Sequence, residues 1–219
     1  MINKKRALLH LLDFLAVPGH SGREEQVAKL FIKKLKAAGC KASWISRDQV
    51  HKKIPQDFEC GNVIVKLPGT VKAPRIMISG HMDTVPLCKG AVPIVKGNKI
   101  VAKGNTGLGG DDRVSLGVMV NLVERLFENN IPHPPLTLVA TVGEEVGLWG
   151  ARFVSKKDLG NPRAGINIDS GDPDKIVIGA IGAHRWTIDI FGVSAHAGVH
   201  PEQGISATLI AAQAISDAK

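Results

Sequence analysis

The stretch LTLVATVGEEVG, residues 136–147, decides how the rest of the chain is read. Its run from Leu136 to Val142 has the composition of a buried strand, and it ends on two adjacent carboxylates, Glu144 and Glu145. Like charges this close raise each other's pKa and cost free energy unless a cation separates their tasks. A strand that delivers such a pair to its end is therefore a candidate for one wall of a site.

Working outward, four further β-rich runs appear: NVIVKL (62–67), RIMIS (75–79), GINI (165–168) and KIVIGAI (175–181). Between the second of these and 136–147 lies DDRVSLGVMVNLVERLFENN (111–130), an apolar-periodic helix opened by acidic residues that suit its positive end. Near the N-terminus, Leu8, Leu11, Leu12 and Leu15 fall at helical spacing. A second helix runs through Val27, Leu30, Phe31 and Leu35, with Ser21 and Glu24 spaced as a capping box and Gly39 as its stop. Buried strands alternating with helices predict an α/β sheet with a helical cover. Composition shifts near Ala183. There HRWTIDIFG (184–192) alternates as a strand, and the loop VSAHAGVHPEQG leads into a small-residue helix, ISATLIAAQAISDAK. One strand and one helix enclose no core of their own. The expected organisation is a first domain over 1–182 and the beginning of a second over 183–219.

In α/β sheets, ligands gather beyond the carboxyl ends of the strands. The polar clusters of this chain fall there: GHMD after RIMIS, GEE after LTLVATV and DSGD after GINI, while GGDD opens a helix. Residues two apart in an extended segment face one side, so His81 can bind a metal while Asp83 holds its other nitrogen. A carboxylate of the Asp111–Asp112 pair can bridge two cations, and glycines 107, 109 and 110 let the backbone bring it close. One of Glu144 and Glu145 can coordinate while the other moves a proton. Each motif also has a plainer reading. A histidine can bond a neighbouring turn, aspartates can cap a helix, and a glutamate pair can be a solvated turn. Asp169 alone says little.

Bulk composition narrows the class. The 219 residues carry a formal net charge of +8, which invites nucleic acid as a partner. However, Lys29, Lys33, Lys34 and Lys36 lie on an amphipathic helix, and the chain has no Tyr and few Phe or Trp for base stacking. No nucleic-acid role is expected. No run approaches the ~20 apolar residues of a membrane span. The basic start followed by leucines mimics a signal peptide, but His10 and Asp13 interrupt it. Cys40, Cys60 and Cys88 show neither pairing parity nor metal spacing, as suits reduced thiols in a cytoplasmic chain.

Taken together and in order, GHMDTV (80–85), GGDDR (109–113), TVGEEVG (141–147), NIDSG (167–171) and SAHAGVHPEQGISA (194–207) resemble one family. It is the peptidase T-like (tripeptide aminopeptidase-like) branch of the di-zinc exopeptidase and aminoacylase superfamily. The resemblance implies an α/β zinc-exopeptidase (phosphorylase/hydrolase-like) catalytic domain with an inserted α+β ferredoxin-like lid that dimerises. It implies two Zn2+ ions, with His81 and Asp169 on one, Glu145 on the other and Asp111 bridging. Glu144 would be the general base, Asp83 the partner of His81, and His196 a donor to the tetrahedral intermediate in a partner subunit's site. The carboxylate-rich ligand set also suits Mn2+ or Co2+. The implied substrate is a small peptide; N-acyl amino acids, or a catalytically silent metal-binding chain, are the alternatives. Two departures stand out. Arg113-Val114-Ser115 replaces the family's Lys and small residues, and the family's last zinc-binding histidine lies in a C-terminal return segment not found before Lys219. The expectation is thus an N-terminal portion whose second zinc site is incomplete; His200 sits in the lid loop and is no substitute.

Overall fold

The structure, a computed structural model, describes residues 3–169, 171–172, 174–179, 181–182 and 186–218. The chain divides into two compact units, 1–172 and 173–219.

The first unit is built on a five-stranded mixed sheet, in the order β1-β2-β6-β3-β7. Its strands are β1 (Ile45–Arg47), β2 (Val63–Leu67), β3 (Ile76–His81), β6 (Leu136–Thr141) and β7 (Ala164–Asn167). β1 and β2 pair antiparallel, as do β2 and β6, whereas β3 runs parallel to both its neighbours, β6 and β7. A separate hairpin, β4 (Pro93–Lys96) and β5 (Lys99–Ala102), turns at Gly97, which takes φ +59° at the first turn position. The helices are α1 (Lys4–Ala16), α2 (Glu25–Ala37), α3 (Gly110–Glu128) and the short α4 (Trp149–Phe153). Among the described residues, no helix is long and apolar enough to cross a membrane.

α1 is the amphipathic helix its leucines predict. Asn3 caps it by accepting the Arg6 N–H at 3.1 Å, and it buries Phe14 and Leu15. α2 ends as predicted at Gly39, whose φ of +104° closes a Schellman turn: Gly39 N donates to Lys36 O and Cys40 N to Leu35 O, both at 3.0 Å. Its start differs from expectation. α2 has no side-chain cap, because Ser21 and Glu24 both spend their oxygens on other loops. Phe14, Phe31, Leu35, Leu116, Met119 and Leu138 are wholly buried in one core that joins α1, α2 and α3 to the sheet. Each such side chain contributes on the order of 1.5–3 kcal/mol by leaving water. β2 and β6 are almost entirely buried, as a central strand pair must be, while β7 at the sheet edge is exposed.

In the second unit, α5 (Ala207–Asp217) starts at Ser206, whose hydroxyl oxygen accepts the Leu209 N–H at 3.1 Å. One antiparallel bridge joins Val193 to Ile205. The strands predicted over 175–181 and 184–192 are not found among the described residues there; Ala180, His184 and Arg185 lie outside them. Ile176, Ile178 and Ile188 are largely exposed, and alternating apolar residues make a strand only where a neighbour completes the ladder.

Candidate metal centre

Parallel pairing is what assembles the site. β3, β6 and β7 point the same way, so their carboxyl ends meet at one edge of the sheet. His81 lies opposite Thr141 in β6, three residues before Glu144. β7 pairs Asn167 with Ser79, and Ile168 N donates to Ser79 O, which carries Asp169 to the level of His81. From the other side, α3 brings Asp111 and Asp112. Gly109 enters this turn at φ +78°, the backbone leaves helical dihedrals at both aspartates, and the peptide bond between them is cis.

His81 is at the centre and 1% exposed. Its Nδ1 lies 3.0 Å from the main-chain oxygen of Asp83 and 3.4 Å from that residue's carboxylate. An N–H there leaves Nε2 with its lone pair free. Nε2 is 3.1 Å from Asp111 Oδ1, 3.8 Å from Glu144 Oε2 and 4.0 Å from Asp169 Oδ1. Asp83 is fully buried, and its carboxylate accepts from Ser21 Oγ (2.7 Å), Glu144 N (3.0 Å) and Glu145 N (3.2 Å). Burial works against its charge, but the bonds from His81, Ser21 and the Glu144 amide outweigh burial and hold the pKa below the usual value. Asp112, 3% exposed, accepts from His81 N at 3.1 Å and Ser115 N at 3.4 Å. The close approach of β3 to α3 needs Gly80, where a Cβ would lie 2.0 Å from Ser115 Oγ.

Two groups place one donor atom per residue within 4.8 Å of each other: His81, Asp112 and Asp169, and His81, Asp111 and Glu145. His81 belongs to both. Asp111 is the exposed member at its helix start, and it lies against the Asp169 carboxylate as well as His81. The electrostatics suit a cation. Burial, and then the neighbouring carboxylates, raise the pKa of Glu144, Glu145 and Asp169. Burial pushes Asp112 up to about 7. Burial alone would lower the His81 pKa, but the Asp83 hydrogen bond and the charges of Asp83, Asp112 and Asp169 override it and carry it up to about 10. Both directions describe a negative cluster short of positive charge, which a divalent ion relieves. One imidazole with several carboxylates is a donor set for Zn2+ or Mn2+, so the residues fit the group.

A cleft of about 320 Å³ opens beside the cluster, lined by Gly110, Asp111, Asp112, Val114, Ile168, Asp169 and Gly171. A second, of about 460 Å³, includes His81, Glu144 and Asp169 in its wall together with Met77, Val139 and Leu148. His196 lies in the second unit, exposed; its Nδ1 accepts the Gly198 N–H at 3.2 Å, which puts the proton of a neutral ring on Nε2. His200 is bonded through Nδ1 to Glu202 at 3.2 Å. Three residues that hold the cluster carry no distinct signal in the sequence: Asp112 stands as half of a pair, and Ser21 and Glu24 have the spacing of a local cap. Arg113 is buried beneath the cluster, donating to the main-chain oxygens of Phe14 (3.2 Å) and Gly19 (2.9 Å).

Comparison with known proteins extends this picture. Residues 62–201, more than half of the chain, match peptidase family M28. An uncharacterized Bacillus subtilis protein, YqjE, is 34% identical over 217 residues, covering 99% of this chain and 57% of that protein. The aminopeptidase PepT of Bacillus cereus superposes with a TM-score of 0.76 at 32% identity, covering 100% of this chain and 57% of its own. A tripeptidase of Staphylococcus aureus gives a TM-score of 0.77 at 29% identity, with the same coverage. The chain therefore spans somewhat over half the length of these relatives and shares the α/β fold of peptidase T-like enzymes.

Proposed function

The chain belongs to peptidase family M28, and from that premise we propose that it forms the metal-binding part of an exopeptidase acting on short peptides. The observation that carries this reading is His81 Nε2, aimed at Asp111, Glu144 and Asp169 and shared by both ligand groups. His81 and Asp169 would hold one Zn2+, Glu145 the second, and Asp111 would bridge them. Asp111 suits the bridge better than Asp112, whose carboxylate is already occupied by the His81 and Ser115 amides. Mn2+ or Co2+ would fit the same oxygens. Such an ion pair supplies Lewis acidity toward an amide carbonyl and toward water.

The remaining chemistry belongs to the side chains. Glu144 is the general base: it takes the proton of the attacking water and passes it to the departing amine. Burial, and then Asp169 and Asp83, raise its pKa above the ordinary carboxylate value, the direction a proton-accepting base needs. Asp83 fixes the ring of His81 and, through the amides of Glu144 and Glu145, the segment that carries base and ligand. His196 would donate its Nε2 proton to the developing oxyanion in a partner copy's site. The second unit, with Trp186, Phe191 and Leu209 exposed, is the surface we assign to a homodimer. The free thiols of Cys40, Cys60 and Cys88 suit a reducing, cytoplasmic compartment.

A substrate that is a short peptide with a free amino end is supported by the relatives named aminopeptidase and tripeptidase. The test is hydrolysis of tripeptides and of N-acetyl amino acids by the metal-supplied protein, with Glu144→Gln alongside. The expected result is release of N-terminal residues from tripeptides, falling by about 10²–10⁴ in Glu144→Gln with metal binding retained. Cleavage of the N-acetyl compounds alone, or an active Glu144→Gln, would contradict the assignment.

A further inference from the structure

We infer that Glu24, 119 residues from Gly143 in sequence, is a positioning residue that aims the Gly143–Glu144–Glu145 segment at the metal centre. The inference rests on the metal-centre reading above. Four consecutive amides leave β6, and each is held by a buried side-chain oxygen rather than by another strand. Val142 N donates to Asn62 Oδ1 (3.0 Å), Gly143 N to Glu24 Oε1 (3.0 Å), and Glu144 N and Glu145 N to the two oxygens of Asp83 (3.0 and 3.2 Å). Asn62 is itself clamped by Asp48 at 2.7 Å and Gly150 O at 3.0 Å. Glu24 belongs to the loop before α2 and bonds the segment directly, whereas Asp83 meets that loop through Ser21.

That loop touches both strand ends that build the centre. Gly19 O accepts Thr84 N at 3.1 Å, Ser21 Oγ donates to Asp83 at 2.7 Å, and Glu24 Oε1 accepts Gly22 N as well as Gly143 N, both at 3.0 Å. One oxygen thus joins the loop that steadies Asp83 to the loop that carries Glu144 and Glu145. Gly143 is the place where such a clamp matters. It sits at φ +61° with the Phe58 ring where a Cβ would be, 2.6 Å away, and Gly150 N and Trp149 N donate to Val142 O (2.8 Å) and Gly143 O (3.0 Å) on either side of it. Without the Glu24 bond, the Gly143 amide loses its acceptor, and the turn that leads into the two glutamates loses its direct link to the loop before α2.

Glu24 is also a costly way to provide a merely local contact. It is wholly buried, and its second oxygen, Oε2, has no hydrogen-bond partner among the described residues. A buried unpartnered polar atom costs on the order of 1–3 kcal/mol, and one retained next to a ligand loop calls for an explanation in geometry. Residues that orient metal ligands typically change affinity 10–100-fold when lost.

The test is a Co2+ titration of the full chain, followed by visible absorption, for wild type, Glu24→Gln and Glu24→Asp, with a thermal melt of each. Asp, one methylene shorter, cannot span both amides. It should weaken the ion held by Glu145 tenfold or more while leaving the His81–Asp169 ion within about twofold. Gln keeps the accepting oxygen and should bind both ions within about twofold of wild type. Equal weakening of both ions in Glu24→Asp, or none, would overturn the inference in favour of a purely structural role. So would selective loss in the near-isosteric Gln variant, which serves if the Asp variant does not fold. Wild-type protein that takes up no Co2+ would overturn the metal-centre reading and this inference with it. Wild-type uptake matched by every variant would overturn this inference alone.

Discussion

Gly80→Ala tests whether close contact between β3 and α3 builds the centre. Gly80 precedes His81, and an added Cβ would lie 2.0 Å from Ser115 Oγ, 2.4 Å from Ser115 Cβ and 2.5 Å from Asp112 Oδ2. None of these atoms is the free end of a flexible chain. Ser115 is fully buried with its hydroxyl on Asp112 O at 2.7 Å, and Asp112 is 3% exposed and bonded to His81 N. The start of α3 would have to back away by about 1 Å, and overpacking of this kind costs about 1–3 kcal/mol. Stretching the amide-to-carboxylate bond at His81 adds about 1.5–3 kcal/mol. A total of about 2.5–6 kcal/mol is expected, a large share of an ordinary domain's stability. Urea unfolding followed by the fluorescence of Trp44 and Trp149 measures it, with Gly110→Ala as control because nothing lies within 4 Å of its would-be Cβ. The same shift moves Asp111 and Asp112 away from His81, so metal affinity should fall at least tenfold. A Gly80→Ala protein with wild-type midpoint and wild-type metal affinity would refute the reasoning.

Two further outcomes concern buried carboxylates. Burial, and then Asp83, push Glu24 up to about 7 from its ordinary 4.5. The folded state therefore binds the extra proton, and the associated stability, full below pH 4.5, is lost as pH rises through 7. The loss amounts to about 3 kcal/mol. Glu24→Gln does not titrate, so its stability relative to wild type should climb by up to that amount between pH 4.5 and pH 8 in parallel denaturant melts; a flat difference would contradict it. Asp83 behaves oppositely, since its bonds hold it below its ordinary 3.8 and its contribution is present above that pH. Asp83→Asn turns an amide N–H toward donors that now meet an oxygen, at a cost of about 1–3 kcal/mol at pH 7. That cost should shrink in melts below about pH 3.8 as wild type protonates; a cost that stays constant with pH would count against it.

The sheet and the polar clusters gathered at its edge were legible because they depend on local pattern. Leu136–Val142 reads as a buried strand and is one, and each polar cluster sits just past a strand end because β3, β6 and β7 are parallel. What local pattern cannot show is where a side chain's bonds go in space. Ser21 and Glu24 have the spacing of a capping box, yet both oxygens serve contacts far along the chain, on Asp83 and Gly143. The cis bond at Asp111–Asp112 has no sequence signal without proline. The β4–β5 hairpin was overlooked although its Gly-Asn turn is a usable sign. At 175–181 and 184–192 the composition predicts strands, and the described residues there form none. A sheet is made by pairing, and the described residues there have no partner strand.

The central claim is that His81 Nε2 and the carboxylates around it hold a metal ion at this edge of the sheet. His81 supplies the imidazole donor common to both candidate groups, so its loss should remove the ion it would hold with Asp169. Zn2+ uptake measured by equilibrium dialysis on wild type and His81→Ala tests this directly, with circular dichroism to show that both are folded. Wild type should bind at least one ion per chain, and His81→Ala should lose the ion assigned to His81 and Asp169. Uptake that is absent in wild type, or unchanged in folded His81→Ala, would contradict the account.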